Sequence, residues 1–278
     1  MAIVIVCGAV LALGLAASVR WSRLSFAAPD PLEPLPPLEV ARRCIWYVSI
    51  TLTAGVAAGI CTIGAGGRLA MRLLAATAGD AAQGRLTEAD QLVGEITLGG
   101  TIGFVAFTGI FSGAVFGALF LIVRRFLPPG PAGGVAYGLG LLIVFGAILD
   151  PIRNDNPDFD IVGPGWLAVV VFTMLAVGFG VVLRGFTARM SIWLPLPRAE
   201  RKVLARYVVP GLLAAVFFTV TAATIVVGLI VVLATRWRVP IQVIRSSRWI
   251  IAGRVVLAVV VVVSSPALLT SVIGIASR

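Results

Sequence analysis

The chain has 278 residues, of which 59% are hydrophobic and 12% are charged, and its mean hydropathy is +1.06. Because soluble domains are typically about 45–50% apolar and about 25% charged, this composition excludes a water-soluble protein and predicts one integral membrane domain over residues 1–278. The net charge of +10 is carried almost wholly by arginines between the apolar blocks. Arginines placed in this way typically contact lipid headgroups and set the orientation of the membrane spans, so we expect no nucleic-acid partner.

Apolar blocks of about 20 residues, the length that crosses roughly 30 Å of hydrocarbon as a helix, recur along the chain. They predict an all-α polytopic bundle of about seven spans with glycine-rich helix packing. The predicted spans are about 2–19, 45–64, 98–123, 132–149, 163–183, 208–234 and 250–276. The first block lacks the basic start of a secretory signal peptide, so we expect it to be a retained helix.

Arginine and lysine counts in the connections predict the orientation, since cytoplasmic connections carry the excess. With residue 1 outside, thirteen of these cations lie inside and nine outside, which favours N-out, C-in. The segment 235–254 then leaves five arginines outside. Either they pair with the acidic residues of that side, which are the aspartates of 150–160 with Asp80, Glu88, Asp90 and Glu95, or one span has been miscounted. The excess of arginine over lysine, with abundant alanine, glycine and valine, indicates a bacterial plasma membrane.

Two connections contain informative segments. The Pro-rich 20–44 connection contains PDPLEPLPPLE, which predicts a stiff spacer, with docking of a partner that recognises Pro-x-x-Pro as the alternative. GRLAMRLLAATAG at 67–79 is expected to continue the second helix as an interfacial segment, with Arg68 and Arg72 reaching lipid headgroups. TEAD at 87–90 has the spacing of a capping box and predicts that a helix restarts there.

Nine glycines occur in runs at four-residue intervals, which place them on one helix face where another backbone can approach closely. They are Gly55, Gly59, Gly99, Gly103, Gly109, Gly113, Gly117, Gly134 and Gly138. We expect them to pack the second, third and fourth helices into the tight centre of the bundle. The same motif also serves homodimer seams and substrate paths, which stay open as alternatives.

The stretch ILDPIRNDNPDFDIVGPGW, residues 148–166, contains four aspartates: Asp150, Asp155, Asp158 and Asp160. Alternating oxygen ligands are typical of calcium loops, but Pro157 interrupts the series, and the glycine and closing glutamate of such loops are missing. Asn154-Asp155-x-x-Asp158 resembles the start of the motif with which UbiA-type membrane prenyltransferases hold magnesium. Val162 stands where that motif has aspartate. We interpret the stretch as a polar turn between two spans. The alternative is a metal site, for which Asp155, Asp158 and Asp160 are the candidate ligands.

The sequence contains few other residues that could form a catalytic or metal-binding site. The chain has no histidine, the usual general base and commonest metal ligand, and its three cysteines lie far apart in or beside apolar blocks, so we expect no cofactor. Within the spans, Ser264, Ser265 and Pro266 form the candidate polar site, since proline interrupts the hydrogen bonding of a helix and frees a carbonyl.

These features predict a structural or accessory membrane component that acts through helix packing. Its expected partners are membrane lipids and a membrane protein or a second copy of the chain. The competing interpretation is a transporter or channel for a small or lipid-like solute, using the glycine-lined centre and the Pro266 kink. A metal-dependent membrane enzyme that uses the aspartates of 150–160 is the third.

Overall fold

Helices account for nearly all regular structure in the computed structural model, which describes residues 1–29, 36–149, 151–223, 225–226 and 247–278. Within those ranges the β pairing is limited to one bridge between Leu86 and Leu92, so the prediction of an all-α protein is confirmed. The principal helices, in chain order, are α1 (Ala2–Trp21), α2 (Pro37–Gly59), the π-helical segment π1 (Ile60–Gly66), α3 (Gly67–Thr77), α4 (Leu98–Phe104), the π-helical segment π2 (Val105–Ile110), α5 (Phe111–Val123), α6 (Pro131–Phe145), α7 (Gly165–Trp193), α8 (Arg201–Arg206), α9 (Val208–Val216) and α10 (Ser247–Ala276).

Five helical stretches of the described chain are long and apolar enough to cross a bilayer: Ala2–Trp21, Leu38–Thr77, Leu98–Val123, Gly165–Trp193 and Arg248–Ala276. The predicted count of about seven is therefore not confirmed. α6 has 15 residues, about 22 Å of helix, and ends at Phe145 because residues 146–149 form turns. α9 ends at Val216, and the part of the predicted 208–234 span beyond residue 226 lies outside the described residues.

α7 extends well past the predicted end at residue 183 and stops at Trp193. The extension begins with Arg184, a cation that would be costly among lipid tails. Its guanidinium donates hydrogen bonds to the carbonyls of Ser22 (3.1 Å) and Leu24 (3.3 Å), just after the end of α1. These bonds let the helix continue into a polar layer instead of ending before the charge.

α3 packs one of its faces against the bundle. The helix runs from α2 through π1 into α3 without interruption, as expected, but Gly67, Ala70, Leu74 and Ala75 on α3 are buried. Leu74 belongs to a core cluster that includes Phe159 from the connection before α7. Protein therefore covers one face of this amphipathic helix, while Met71, Arg72, Leu73 and Ala76 on its other side are exposed. The expected contact of Arg68 and Arg72 with lipid headgroups stays a prediction.

The TEAD sequence forms a turn and does not start a helix. The Thr87 N–H donates to the Gln91 carbonyl and the Asp90 N–H to the Thr87 carbonyl, both at 2.9 Å. Asp90 has a φ of 53°, in the left-handed region that helices exclude. The helix begins at Leu98 instead, where the Thr97 side chain accepts a backbone N–H from the first turn.

The bundle has two ends of opposite charge, which we call the basic end and the acidic end. The basic end contains residues 22–29, 124–130 and 194–207 and the start of α10. Three hydrogen bonds connect these parts: Arg184 to the Ser22 carbonyl, Trp46 to the Leu194 carbonyl, and Arg254 to the Phe126 carbonyl. The acidic end contains residues 78–97, the described part of 146–164 and the end of α10, where Arg278 pairs with Asp160 at 3.1 Å.

The described charges divide unevenly between these ends. Fourteen cations lie at the basic end or in the helix turns that reach it: Arg20, Arg23, Arg42, Arg43, Arg124, Arg125, Arg184, Arg189, Arg198, Arg201, Lys202, Arg206, Arg248 and Arg254. Five lie at the acidic end: Arg68, Arg72, Arg85, Arg153 and Arg278. Of the described carboxylates, Glu39 and Glu200 are at the basic end, and the other seven are at the acidic end: Asp80, Glu88, Asp90, Glu95, Asp155, Asp158 and Asp160.

Met1 and Arg278 lie at the same end of the bundle. Ala2 lines a cleft together with Leu98 at the acidic end, and α10 runs from Arg254 at the basic end to Arg278 at the acidic end. The structure therefore does not place residues 1 and 278 at opposite ends, as the N-out, C-in expectation requires. Of the two interpretations of the 235–254 arginines, pairing with the acidic end does not hold for Arg254, which leaves a miscounted span. Arg236, Arg238 and Arg245 lie outside the described residues.

Candidate functional site

Glycines bring α2 into backbone contact with π2 and α5. The residues of this first seam are Gly55 and Gly59 on α2 and Gly109, Gly113 and Gly117 on the facing helix. A Cβ atom added to Gly55 would lie 2.9 Å from the Gly117 Cα, and one added to Gly59 would lie 2.8 Å from the Gly113 Cα. Any side chain at these positions would force the two helices apart, since the neighbouring atoms are backbone.

Gly134 and Gly138 form a second seam, which lies against α7. A Cβ at Gly134 would lie 2.8 Å from Gly180 O, and one at Gly138 would lie 2.8 Å from the Val177 Cα. The predicted single centre of the second, third and fourth helices is therefore replaced by two parallel seams. The reason is Tyr137, on another face of α6, which fills the space toward α5 and donates a 2.5 Å hydrogen bond to a carbonyl there.

Gly99 and Gly103 do not take part in either seam. No atom of the described residues lies within 4 Å of a Cβ built on Gly99 or Gly103. By contrast, a Cβ built on Gly109, six residues after Gly103, would lie 3.1 Å from the Gly64 Cα. The four-residue spacing of this pair is thus local and does not continue onto the face that packs on α2.

The two π segments face each other and form one wall of an apolar cleft. α1 forms the opposite wall, and the lining includes Val6 and Val10 of α1, Ile60 of π1, and Val105 and Ile110 of π2. The cleft has a volume of about 470 Å³, and hydrocarbon makes up almost all of its lining. A π segment widens a helix by one residue per turn and is frequently found at functional sites, so the paired segments mark this cleft as the candidate site.

Arg68 lies beside this cleft, toward the acidic end. Its Nε and Nη2 donate to the Thr101 Oγ1 at 3.3 and 3.2 Å, and Thr101 itself lines the cleft. The guanidinium carbon is 5.7 Å from the centre of the Phe104 ring. Among the described residues, no carboxylate lies within 4.0 Å of the Arg68 guanidinium. The cleft is therefore apolar along its length and has a cation without an acidic partner at one end.

The aspartates of 150–160 are separate from the cleft and from one another. Asp155 pairs with Arg153 at 2.9 Å, Asp160 pairs with Arg278, and Asp158 Oδ1 accepts the Glu88 backbone N–H at 2.7 Å. In the part of the chain that the structure describes, no three His, Cys, Asp or Glu side chains are grouped to hold a metal ion. Asp150 lies outside that part. The arrangement is that of a polar turn fixed by ion pairs.

Ser264, Ser265 and Pro266 lie in an uninterrupted helix. α10 runs through Pro266, and the Ser265 hydroxyl donates to the Val261 carbonyl of its own helix at 2.6 Å. Pro266 is on an exposed face. Helical structure is thus continuous through Pro266. The hydroxyl of Ser265 bonds a carbonyl of its own helix, as serine commonly does, and the kink expected at Pro266 stays a prediction.

The basic end contains a half-buried cation that sequence patterns did not indicate. Arg124 lies over the Phe26 ring at 3.7 Å and near the Tyr47 ring at 5.3 Å. Burial lowers the pKa of Arg124, and the nearby Tyr47 counteracts this effect. The aromatic faces take the place of a carboxylate, so this arginine connects the 22–29 segment to α2 and α5.

Sequence reasoning also missed the cleft. The sequence placed Arg68 at the lipid headgroups but did not connect it to a cleft, because its hydrogen bond with Thr101 joins positions 33 residues apart and leaves no local pattern. The available signal was the run of small residues at 64–67, which permits another element to lie close. No protein-family model, curated protein or solved structure matches the chain.

Proposed function

We propose that this chain is a multi-pass protein of a bacterial plasma membrane and acts as an accessory, lipid-binding component. In this proposal the cleft between α1 and the two π segments holds one acyl chain of a membrane lipid. The observation that carries the proposal is the cleft itself, a single-ligand volume with a hydrocarbon lining. Enzymes are disfavoured by the separation of the described aspartates.

The composition and position of the cleft support an apolar ligand. Its volume falls within the roughly 300–1,000 Å³ of ordinary ligand pockets, and only Cys7 and Thr101 contribute side-chain heteroatoms to the lining. Val6, Ile102 and Ala106 on its rim are exposed, so the cleft opens on the face that lipid would cover. A chain could enter from the bilayer without passing through water, whereas an ion would find no replacement for its hydration shell.

The first glycine seam gives the cleft a rigid back wall. Gly59 and Gly64 hold π1 against Gly109 of π2, where a Cβ would lie 3.1 Å from the Gly64 Cα. Backbone contact of this kind leaves the helices little room to approach further. The seam therefore keeps π1 and π2 together as one continuous wall, against which α1 forms the other side of the cleft.

A transporter of lipid-like solutes is the second candidate, and the paired π segments favour it. Conversion of a π turn to α geometry would rotate the residues beyond it and change the lining of the cleft. Reconstitution into vesicles with a fluorescent phospholipid distinguishes the two functions. Movement of lipid between leaflets supports transport, and binding without movement supports the accessory function.

We also propose that the basic end faces the cytoplasm. The nineteen described cations favour that end by fourteen to five. The sequence-based topology divides the same nineteen residues thirteen to six, and the direction of α10 accounts for the difference, because it brings Arg248 and Arg254 to the basic end and takes Arg278 to the other. In this orientation residues 1 and 278 are both outside.

Cysteine labelling tests the orientation. In a chain whose three native cysteines are replaced by alanine, we expect Ala89→Cys to react with a membrane-impermeant maleimide in intact cells, and Ala199→Cys to react only after the cells are opened. Both positions are exposed, at the acidic and basic ends respectively. A permeant maleimide should label both variants. The reverse pattern would overturn the proposed orientation.

Filling the cleft tests the lipid-binding function. In nanodiscs containing a phospholipid with a diazirine in its acyl chain, we expect strong cross-linking to residues 98–110, measured relative to residues 251–263 of α10. Ala106→Phe places a ring in the cleft and should lower that ratio severalfold. Ala258→Phe is the matched control, since it adds the same ring on an exposed face of α10. An unchanged ratio in a folded Ala106→Phe protein would rule out the cleft as the binding site.

A further inference from the structure

We propose that Arg68 binds the phosphate of a phospholipid whose acyl chain lies in the cleft. This inference rests on the proposed function, because it assigns the headgroup of the same ligand. It makes the site selective for phosphate-bearing lipids over neutral lipids with identical chains.

The hydrogen bonds of Arg68 leave part of its guanidinium available. An arginine has five N–H donors, and here Nε and one Nη2 donor reach the Thr101 Oγ1. The described partner of Nη1 is the Met71 sulfur at 3.8 Å, a weak acceptor. Three N–H groups therefore lack an oxygen partner among the described residues, and two of them lie on Nη1.

Thr101 links the guanidinium to the cleft. Its hydroxyl accepts from Arg68 and donates to the Thr97 carbonyl at 2.8 Å, while the residue itself lines the cleft. The Phe104 ring lies beneath the guanidinium and restricts its plane. A ligand with its chain along π2 would therefore bring its polar end to Arg68.

The charges nearby favour a ligand anion over a side chain of this protein. Arg72, one turn further along α3, donates to the Gly94 carbonyl at 2.9 Å. Glu88, at the same end, forms an ion pair with Arg153 instead. Lipid phosphates lie at the depth where a transmembrane helix meets the headgroups, and the planar guanidinium fork matches phosphate oxygens in a bidentate contact.

Native mass spectrometry of the full chain in detergent micelles tests the assignment. The probes are phosphatidylglycerol and a diacylglycerol with the same acyl chains, each titrated separately. We expect the unaltered protein to bind phosphatidylglycerol about tenfold more tightly, since hydrogen bonds to a charged group are worth about that factor or more. Arg68→Gln should remove this preference and leave diacylglycerol binding unchanged. Arg68→Lys should keep part of the preference, because it keeps the charge and loses the fork.

Two control variants distinguish failure of the Arg68 assignment from failure of the proposed lipid-binding function. Arg85→Gln removes an exposed cation from the same end and should retain the full preference, whereas Ala106→Phe should lose both lipids. A tenfold preference that survives Arg68→Gln overturns the assignment, and so does equal binding of the two lipids by the unaltered protein. In either case, if Ala106→Phe abolishes the binding of both lipids, the proposed lipid-binding function is still supported. If the unaltered protein binds neither lipid, the proposed function itself fails. Should Arg68→Gln not fold, the two-lipid comparison and Arg68→Lys still decide the question.

Discussion

Gly113→Val is expected to destabilise the protein by about 3 kcal/mol or more, because overpacking at a site that cannot relax costs at least that order. A Cβ at Gly113 would lie 3.0 Å from the Gly59 Cα and 3.1 Å from the Gly55 carbonyl carbon. Both neighbours are backbone of α2, so no rotamer change relieves the overlap. The measurement is the midpoint of thermal unfolding in detergent, together with the yield of monodisperse protein.

Gly178→Val is the control for this prediction. Gly178 lies within α7, and no atom is found within 4 Å of a Cβ built there, so valine should extend into lipid and change the midpoint little. Equal effects of the two substitutions would mean that helix propensity, rather than the seam, sets the cost. A stable Gly113→Val protein would show that α2 and α5 are not in backbone contact.

Trp46→Ala is expected to cost on the order of 3 kcal/mol, the usual range for removing a buried tryptophan. Trp46 is 2% exposed, and its Nε1 donates to the Leu194 carbonyl at 2.6 Å. Its ring makes edge contacts with Phe26 at 5.5 Å and Tyr47 at 5.0 Å. The substitution therefore loosens three connections of the basic end at once, and unfolding in detergent measures the loss.

Trp46→Phe separates the hydrogen bond of Trp46 from the packing of its ring, and Trp166→Ala serves as a control. Trp46→Phe keeps a ring but leaves the Leu194 carbonyl without its donor, so we expect about 1 kcal/mol from that hydrogen bond alone. Trp166→Ala is the control, because Trp166 is 57% exposed at the acidic end and should have a small effect. If Trp166→Ala proves as costly as Trp46→Ala, the proposed packing of the basic end is incorrect.

The helices themselves could be predicted from the sequence, because length and hydrophobicity alone determine whether a segment can cross a bilayer. The stretch Leu98–Val123 has the predicted limits. Their ends were harder to place. A hydropathy pattern predicts that the span ends before Arg184. In the structure α7 continues, because carbonyls just after α1 accept the hydrogen bonds of the Arg184 guanidinium. Partners that are distant in sequence decide such boundaries.

The candidate site was largely beyond sequence analysis. Four-residue spacing identifies a glycine face but not the helix that it meets, so Gly134 and Gly138 were assigned to the wrong neighbour. Neither π segment has a composition that distinguishes it from α-helix, since the extra residue per turn reflects packing between the helices. Arg68 acquires its significance only from Thr101 and Phe104, which belong to a different helix.

The separation of charge between the two ends has an electrical consequence. In the proposed orientation, with the basic end in the cytoplasm, its cations would lie on the negative side of a polarised membrane. Carrying one elementary charge across the bilayer against that voltage requires about 2.3 kcal/mol per 100 mV, so the fourteen cations of this end oppose inversion of the inserted protein. Collapse of the voltage should therefore disturb insertion of newly made chains far more than it disturbs molecules already in the membrane.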